Sequence, residues 1–237
     1  NVLFKTDDGG DSWEIISPDL TYEQPKIPAS VGIYKTDEME KMARRGVIYS
    51  LGPSPLNADV IWAGTDDGRV HLTKDGGLNW QDVTPSQISS WDKVSQIDPS
   101  YFDQNTAYVA INAIRKDDME PYIYKTNDGG NNWKLVTQGL PKNGPVNVVR
   151  ADSKQEDLLF AGTERAVYFS IDEGGHWQSL RSNMPATSIR DLVIHDDDLI
   201  VGTHGRSIWI LDNISPLREI VKAKKESIYL FTPPLAI

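Results

Sequence analysis

Apolar and polar residues alternate along most of this chain in short runs, each closed by Gly, Asp, Asn or Pro. A two-residue period bounded by turn formers predicts β-strands. VIYSLGPS (47–54), DVIWAGT (59–65), RVHLT (69–73) and NWQDVT (79–84) read as four consecutive strands, with Asp67-Gly68 as a two-residue hairpin signal. The plan returns at 94–100, 106–114, 121–126 and 132–137, and again at 146–152, 157–163, 166–170 and 176–180. It returns in part at 189–195, 198–203 and 207–211. Strands at 2–6 and 12–17 come first, and SIYLFTP (227–233), after a basic linker at 221–226, is a candidate last strand. Ile61, Val70, Leu72, Val109, Tyr124, Leu159, Phe160, Val167, Phe169, Ile200 and Ile210 are expected to fill the space between sheets, so most aromatics belong to the scaffold.

Four of the hairpins share one turn. TDDGGDSW (Thr6–Trp13), TKDGGLNW (Thr73–Trp80), TNDGGNNW (Thr126–Trp133) and SIDEGGHW (Ser170–Trp177) all fit Ser/Thr-x-Asp-x-Gly-x-x-Trp. The carboxylates of Asp8, Asp75, Asp128 and Asp172 can accept backbone N–H groups of the turn that follows. Gly10, Gly77, Gly130 and Gly174 suit its positive-φ position, and Trp13, Trp80, Trp133 and Trp177 are apolar lids. The pattern reads as a self-contained hairpin clasp. Trp-to-Trp spacings are 67, 53 and 44 residues. A unit near the shortest, holding several short strands, has the length of one four-stranded propeller blade, roughly 40–50 residues.

The expected fold is therefore all-β, a partial β-propeller of about five four-stranded blades with the clasps between third and fourth strands. Residues 1–17 end an incomplete blade, and 47–84, 85–137 and 138–181 are blades with clasps. Residues 182–237 form a terminal blade without one, plus a C-terminal strand. The chain starts in mid-blade, as a piece of a longer protein would, whose remaining blades are its first expected partner. Residues 18–46 are an insertion that no other unit has. Pro18, Pro25 and Pro28 predict extended loop. Asp37, Glu38 and Glu40, then Met39, Met42 and Ala43 on one face, Arg44 and Arg45 behind and Gly46 as the stop predict a short helix. The insertion serves either as a lid or docking arm or as cover for a blade edge.

Composition narrows the function classes. The chain has 237 residues, 39% hydrophobic and 24% charged, with no apolar run of membrane-spanning length. A net charge of −10 argues against a broad nucleic-acid surface. The absence of cysteine removes disulfides and thiolate metal sites, and four scattered histidines lack zinc-ligand spacing, so neither metal nor cofactor is expected.

The four clasps resemble Asp-box (bacterial neuraminidase, BNR) repeats, found in sialidases, xyloglucanase-type glycosidases, sortilin-type receptors and a photosystem assembly factor. ISPDLT (16–21), VIWAGTDDG (60–68), TAYVA (106–110), LLFAGTE (158–164) and VGTHGRSIWILD (201–212) followed by SPL resemble the C-terminal propeller half of large secreted bacterial "glycosyl hydrolase, BNR repeat" or sortilin-like proteins. That resemblance covers nearly the whole chain and implies a secreted, periplasmic or cell-surface setting. It also implies that the clasp carboxylates are structural turns at the outer part of each blade; four equivalent copies cannot face one substrate.

Ligand sites in propellers lie on the opposite face, where second-to-third loops carry Arg69, Arg115, Arg165 and Arg206. A row of guanidinium forks suits carboxylate or phosphate groups; the plainer reading is solvated turns pairing with Asp66, Asp67 and Glu164. His204 lies in the same set of turns. Asp117, Asp118 and Glu120 form an acid cluster in one long loop, catalytic candidates set against a solvated tip. A glycosidase needs two carboxylates roughly 5–10 Å apart across a cleft. Sialidase chemistry would need an Arg-Ile-Pro motif that is missing, and xyloglucanase-type enzymes place their two acids on separate propellers. The leading expectation is a non-catalytic binding or scaffold part of a larger protein, contacting glycan or protein. The alternative is part of a glycoside hydrolase completed by regions outside this chain.

Overall fold

A computed structural model describes residues 1–34, 36, 37, 41 and 46–233. The strands are β1 (Phe4–Lys5), β2 (Glu14–Ile15), β3 (Ile48–Pro53), β4 (Ile61–Thr65), β5 (Val70–Thr73), β6 (Gln81–Asp82), β7 (Lys93–Pro99), β8 (Ala107–Asn112) and β9 (Tyr122–Thr126). They continue as β10 (Lys134–Leu135), β11 (Val146–Ala151), β12 (Leu159–Thr163), β13 (Val167–Ser170), β14 (Gln178–Ser179), β15 (Ile189–His195), β16 (Asp198–Thr203) and β17 (Ile208–Leu211). Helix α1 (Ser215–Ala223) follows. β3 to β6, β7 to β10 and β11 to β14 each form a four-stranded antiparallel meander. β1 and β2 form a lone hairpin, and β15 to β17 a three-stranded sheet. These are the blades of a partial propeller.

Both faces of an inner blade are buried, and strand alternation divides its side chains between two cores. In β8, Val109 and Ile111 pack with Trp62, Val70 and Leu72 of the preceding blade, while Tyr108 and Ala110 pack with Val149, Leu159 and Trp177 of the next. A third core joins Phe160 and Phe169 to Leu192 and Val201. Leu3, Leu20 and Ala63 seat the first hairpin and the insertion on β4. Glycine at the end of the second strand lets the sheets meet, since a Cβ at Gly64 would stand 2.3 Å from Val94 Cγ1. Ion pairs add to this inward packing: Arg150 of β11 donates to Asp98 of β7 at 3.0 Å and to Asp191 of β15 at 3.2 Å, linking three blades.

Several expectations need correction. The fourth strands pair over two residues each, because the clasp diverts the N–H of Asn79 and its equivalents to the Asp carboxylate. Residues 227–233 form no strand; Ile228 and Leu230 are exposed. Instead, 215–223 is helical, and the expected basic linker at 221–226 begins inside that helix. Pro216 suits the first turn, and Ile214 and Leu217 pack into the third core. Arg218 makes a two-pronged contact with the buried Asp152 at 2.7 and 2.8 Å and also binds Asp197. Ile210 is 58% exposed, since β17 is an edge strand. In the insertion, Pro18, Pro25 and Pro28 lie outside helix and strand, and a 3-10 segment spans Ala29–Tyr34. Most of the expected helix at 37–45 lies outside the described residues.

Candidate functional site

Each clasp closes as its residues dictate. In the second, Asp75 Oδ1 accepts Thr73 Oγ1–H at 2.8 Å and Asn79 N–H at 2.9 Å, and the Gly77 N–H donates to Thr73 Oγ1 at 3.0 Å. Gly10, Gly77, Gly130 and Gly174 have φ between +84° and +106°. Hydrogen bonds from Ser12 and Thr6 hold the Asp8 carboxyl well below the usual range. Asn79 does the same for Asp75 and Asn132 for Asp128. These acids are spent on the turn.

The tryptophans reach outward. Trp80 Nε1 donates to Ile16 O at 2.8 Å, Trp133 Nε1 to Val83 O at 2.7 Å and Trp177 Nε1 to Val136 O at 2.8 Å. Each acceptor directly follows the outer strand of the preceding sheet, so the clasp is also an inter-blade latch. Among the described residues no sheet is packed ahead of the Trp13 hairpin; Trp13 donates to Gly10 O at 3.1 Å and is 61% exposed.

The opposite ends of the strands build a different surface. In each innermost strand the pairing skips one residue, leaving Tyr49, Ser95, Asn147 and Arg190 as bulges. A bulge re-aims its side chain. Ser95 Oγ donates to Ala110 O of its own sheet at 3.0 Å and lies 3.4 Å from Val146 O, and Asn147 Nδ2 donates to Ile189 O at 3.0 Å, Val146 and Ile189 each being the first residue of the next inner strand. Asn147 also accepts from Asn112 Nδ2 at 2.7 Å and donates to Glu164 Oε1 at 3.0 Å.

Beside this ladder lies a cleft of about 620 Å³ shared by three blades. Lys93, Arg115, Arg165 and Arg190 line it with Asn112 and Asn143, and Ile114, Met119 and Pro145 supply apolar wall. Arg115 pairs with Asp66 at 2.8 Å, and Arg190 with Glu164 at 3.2 Å. Lys93 Nζ lies 4.5 Å from the centre of the Tyr49 ring. The Arg165 guanidinium makes no hydrogen bond or ion pair among the described residues. Glu164 is the one acid in the lining. Burial pushes its carboxyl up, but the Asn147 hydrogen bond and the charges of Arg190 and Lys93 outweigh this and hold it below the usual range.

Of the arginine row, Arg115 and Arg165 meet in this cleft. Arg69 does not: it pairs with Asp82 at 2.6 Å, donates to Thr21 O at 3.3 Å and stacks on Tyr22, beneath the insertion. Asp67, raised by burial, accepts the Tyr22 N–H at 2.9 Å and helps to seat the same segment. His204 and Arg206 are exposed in the terminal blade's turn, outside the cleft. Lys93 and Arg190 are the additions. Arg190 read as an ordinary strand residue, and no local signal announces a bulge.

Of the acid cluster, Asp117 takes a left-handed φ of 63° at the end of a 3-10 turn (Ile114–Lys116), and Asp117 and Glu120 are exposed. Asp118 lines a separate pocket. Among the described residues no group of three or more His, Asp or Glu side chains is placed to hold a metal, and no helix is long and apolar enough to cross a membrane.

No family model matches the chain. Curated proteins give no match either. Solved structures do. The GH74 xyloglucanase from Xanthomonas campestris is 16% identical with a TM-score of 0.57, over 89% of this chain and 33% of that one. YCF48 from Cyanidioschyzon merolae is 18% identical with a TM-score of 0.52, over 72% of this chain and 54% of that one. YCF48 bound to D1 peptide is 18% identical with a TM-score of 0.51, over 66% and 48%. The chain thus spans less than two thirds of the length of each. At such identities the likeness speaks for architecture. Sheet order and these likenesses together make the chain a partial β-propeller.

Proposed function

We propose that this chain is a non-catalytic recognition part of a larger Asp-box (BNR-type), sortilin-like propeller protein, working outside the cytoplasm, and that its basic cleft holds an anionic group of a glycan or protein ligand. The observation that carries the reading is the grouping of Lys93, Arg115, Arg165 and Arg190 from three blades around one cleft, with Arg165 unpaired among the described residues. A guanidinium with vacant donors in a chain of net charge −10 is placed for a carboxylate or sulfate. Hydrolysis fits this cleft poorly. Its single acid is held ionised, and a general acid must keep its proton near neutral pH. YCF48, a propeller of similar architecture, has been solved with a peptide bound, which favours recognition as the use of such a surface.

The test is titration calorimetry of this chain and of its full-length parent with heparin, polygalacturonate and poly-glutamate at two salt concentrations. One of these probes binds, and Arg165→Ala with Arg190→Ala weakens it by about tenfold or more, with a shallower salt dependence. Unchanged affinity in the double variant, or no binding of any probe, sinks the reading. Fractionation of the parent's cells tests the extracytoplasmic setting.

A second reading, part of a glycoside hydrolase, draws on the likeness to the GH74 xyloglucanase and on Asp118 lying near Asp92 in one pocket. Hydrolysis of a chromogenic glycoside by the parent, lost on Asp118→Asn, would favour it over the first.

A further inference from the structure

Trp177 shows what the space between two blades is shaped to hold. The core that buries it between β7–β10 and β11–β14 includes Ile123, Val136, Leu140, Leu159 and Ala161. One blade further on, the same places belong to Val167, Leu180, Met184, Leu199 and Val201. Hydrogen bonds fix this correspondence: Val136 N–H donates to Ile123 O and Leu180 N–H to Val167 O, both at 2.9 Å, and Leu140 N–H donates to Thr137 O as Met184 N–H does to Arg181 O. All five residues line one apolar groove, together with Trp209, Ile210 and Leu211 of β17. At about 50 Å³ it lies far below small-molecule sites, roughly 300–1,000 Å³, and suits a single inserted side chain.

β15 to β17 have no fourth strand among the described residues, because the chain leaves β17 through Asp212 and Asn213 into α1 instead of closing a clasp. The outer edge of β17 is thus unpaired, and Ile208 and Ile210 are 70% and 58% exposed. In the preceding sheet Val167 turns its carbonyl outward to Leu180. Val167 stands opposite Gly162 as Ile208 stands opposite Gly202, so Ile208, and with it Ile210 two residues on, presents its backbone N–H and C=O outward. The series of latch carbonyls is open as well. Trp80, Trp133 and Trp177 donate to Ile16, Val83 and Val136. The next member is Leu180 O, beside the groove, and among the described residues no indole donates to it.

The chain itself defines what such a site takes. In all four clasps the Trp is followed three residues later by Ile, Val or Leu: Trp13 and Ile16, Trp80 and Val83, Trp133 and Val136, Trp177 and Leu180. In the last three the indole reaches the preceding blade while the next two residues pair with the third strand of their own sheet. An exposed sheet edge accepts a strand through its backbone and reads it through a side-chain pocket. We propose that β17 and this groove form a docking site for an extended segment of a protein partner with the pattern Trp-x-x-Leu/Ile/Val. Its backbone adds antiparallel to Ile208–Leu211, and its indole fills the groove and donates to Leu180 O. The site shares no residue with the basic cleft.

Nitrogen-15 NMR titration of the full chain with the synthetic peptide GHWQSL, the sequence of its own residues 175–180, tests this. The peptide binds, and the amides that shift are those of 180–184 and 208–211. A peptide with Ala in place of Trp binds at least about tenfold more weakly, a comparison that leaves the protein unchanged. Ile210→Pro removes one outward N–H from an edge strand, where proline is tolerated, and weakens the GHWQSL peptide by a similar factor. Absence of binding at millimolar peptide, equal binding by the Ala peptide, or shifts away from β17 would overturn the proposal. So would concentration-dependent sedimentation of the chain alone that Ile210→Pro abolishes, since that assigns β17 to a second copy.

Discussion

If the clasp tryptophans are inter-blade latches, their worth depends on whether a preceding blade is present, and Trp177 and Trp13 are the matched pair that shows it. Trp177 is 1% exposed, packs in the core between two blades and donates to Val136 O at 2.8 Å. Trp177→Ala empties that site and should cost about 3–5 kcal/mol, the range for large aromatic truncations in cores. Trp177→Phe keeps most of the ring but removes the donor from the Val136 carbonyl, and should cost about 1–3 kcal/mol. Trp13 belongs to the same sequence motif, yet it is 61% exposed and bonded only within its own turn. Trp13→Ala should therefore stay within about 0.5 kcal/mol, as surface changes do. The glycines repeat the contrast: a Cβ at Gly130 would lie 2.6 Å from Val83 Cβ, whereas one at Gly10 meets only Trp13 at 3.9 Å. Both alanines suffer the positive φ, but Gly130→Ala carries an added clash. Urea unfolding followed by far-ultraviolet circular dichroism, with the slope compared across variants, reads all of these. A Trp13→Ala loss equal to that of Trp177→Ala would refute the latch and leave the motif as a purely local turn.

Three further effects follow from ionisable groups. His71 is buried in β5, and desolvation lowers its imidazole from the ordinary 6.5 to about 4. The unfolded chain therefore binds a proton in that interval and the folded chain does not, so stability falls as pH drops from about 6.5 to 4. The full loss is about 3 kcal/mol, and His71→Phe should flatten this part of a stability–pH curve. Below 3.8, the unfolded value, the depressed carboxyls of Asp75 and Asp128 add a second loss as they protonate. Arg150→Ala leaves Asp98 buried beside the Ala151 N–H without its counter-ion, and should cost about 3 kcal/mol in the same urea assay. Pairing Arg150→Ala with Asp98→Ala should recover part of that cost.

Much of the architecture was legible locally. Asp, Gly and Trp at fixed spacing specify a turn through contacts within eight residues, so four clasps could be recognised without knowing what they pack against. Period-2 alternation likewise placed the strands of the inner blades. It could not say which of two buried faces each side chain joins, because in β8 both faces are covered. Nor did it foresee α1, whose apolar side is defined by a groove between blades and whose Arg218 answers Asp152, 66 residues earlier. The candidate site was half visible: turn arginines could be named, but Arg69 turned under the insertion and Arg190 arrived through a bulge. A bulge is a property of the register between two strands, and a cleft is a property of three blades. The chain's own residues determined the repeat and its turns; only packing decided which cations share one space.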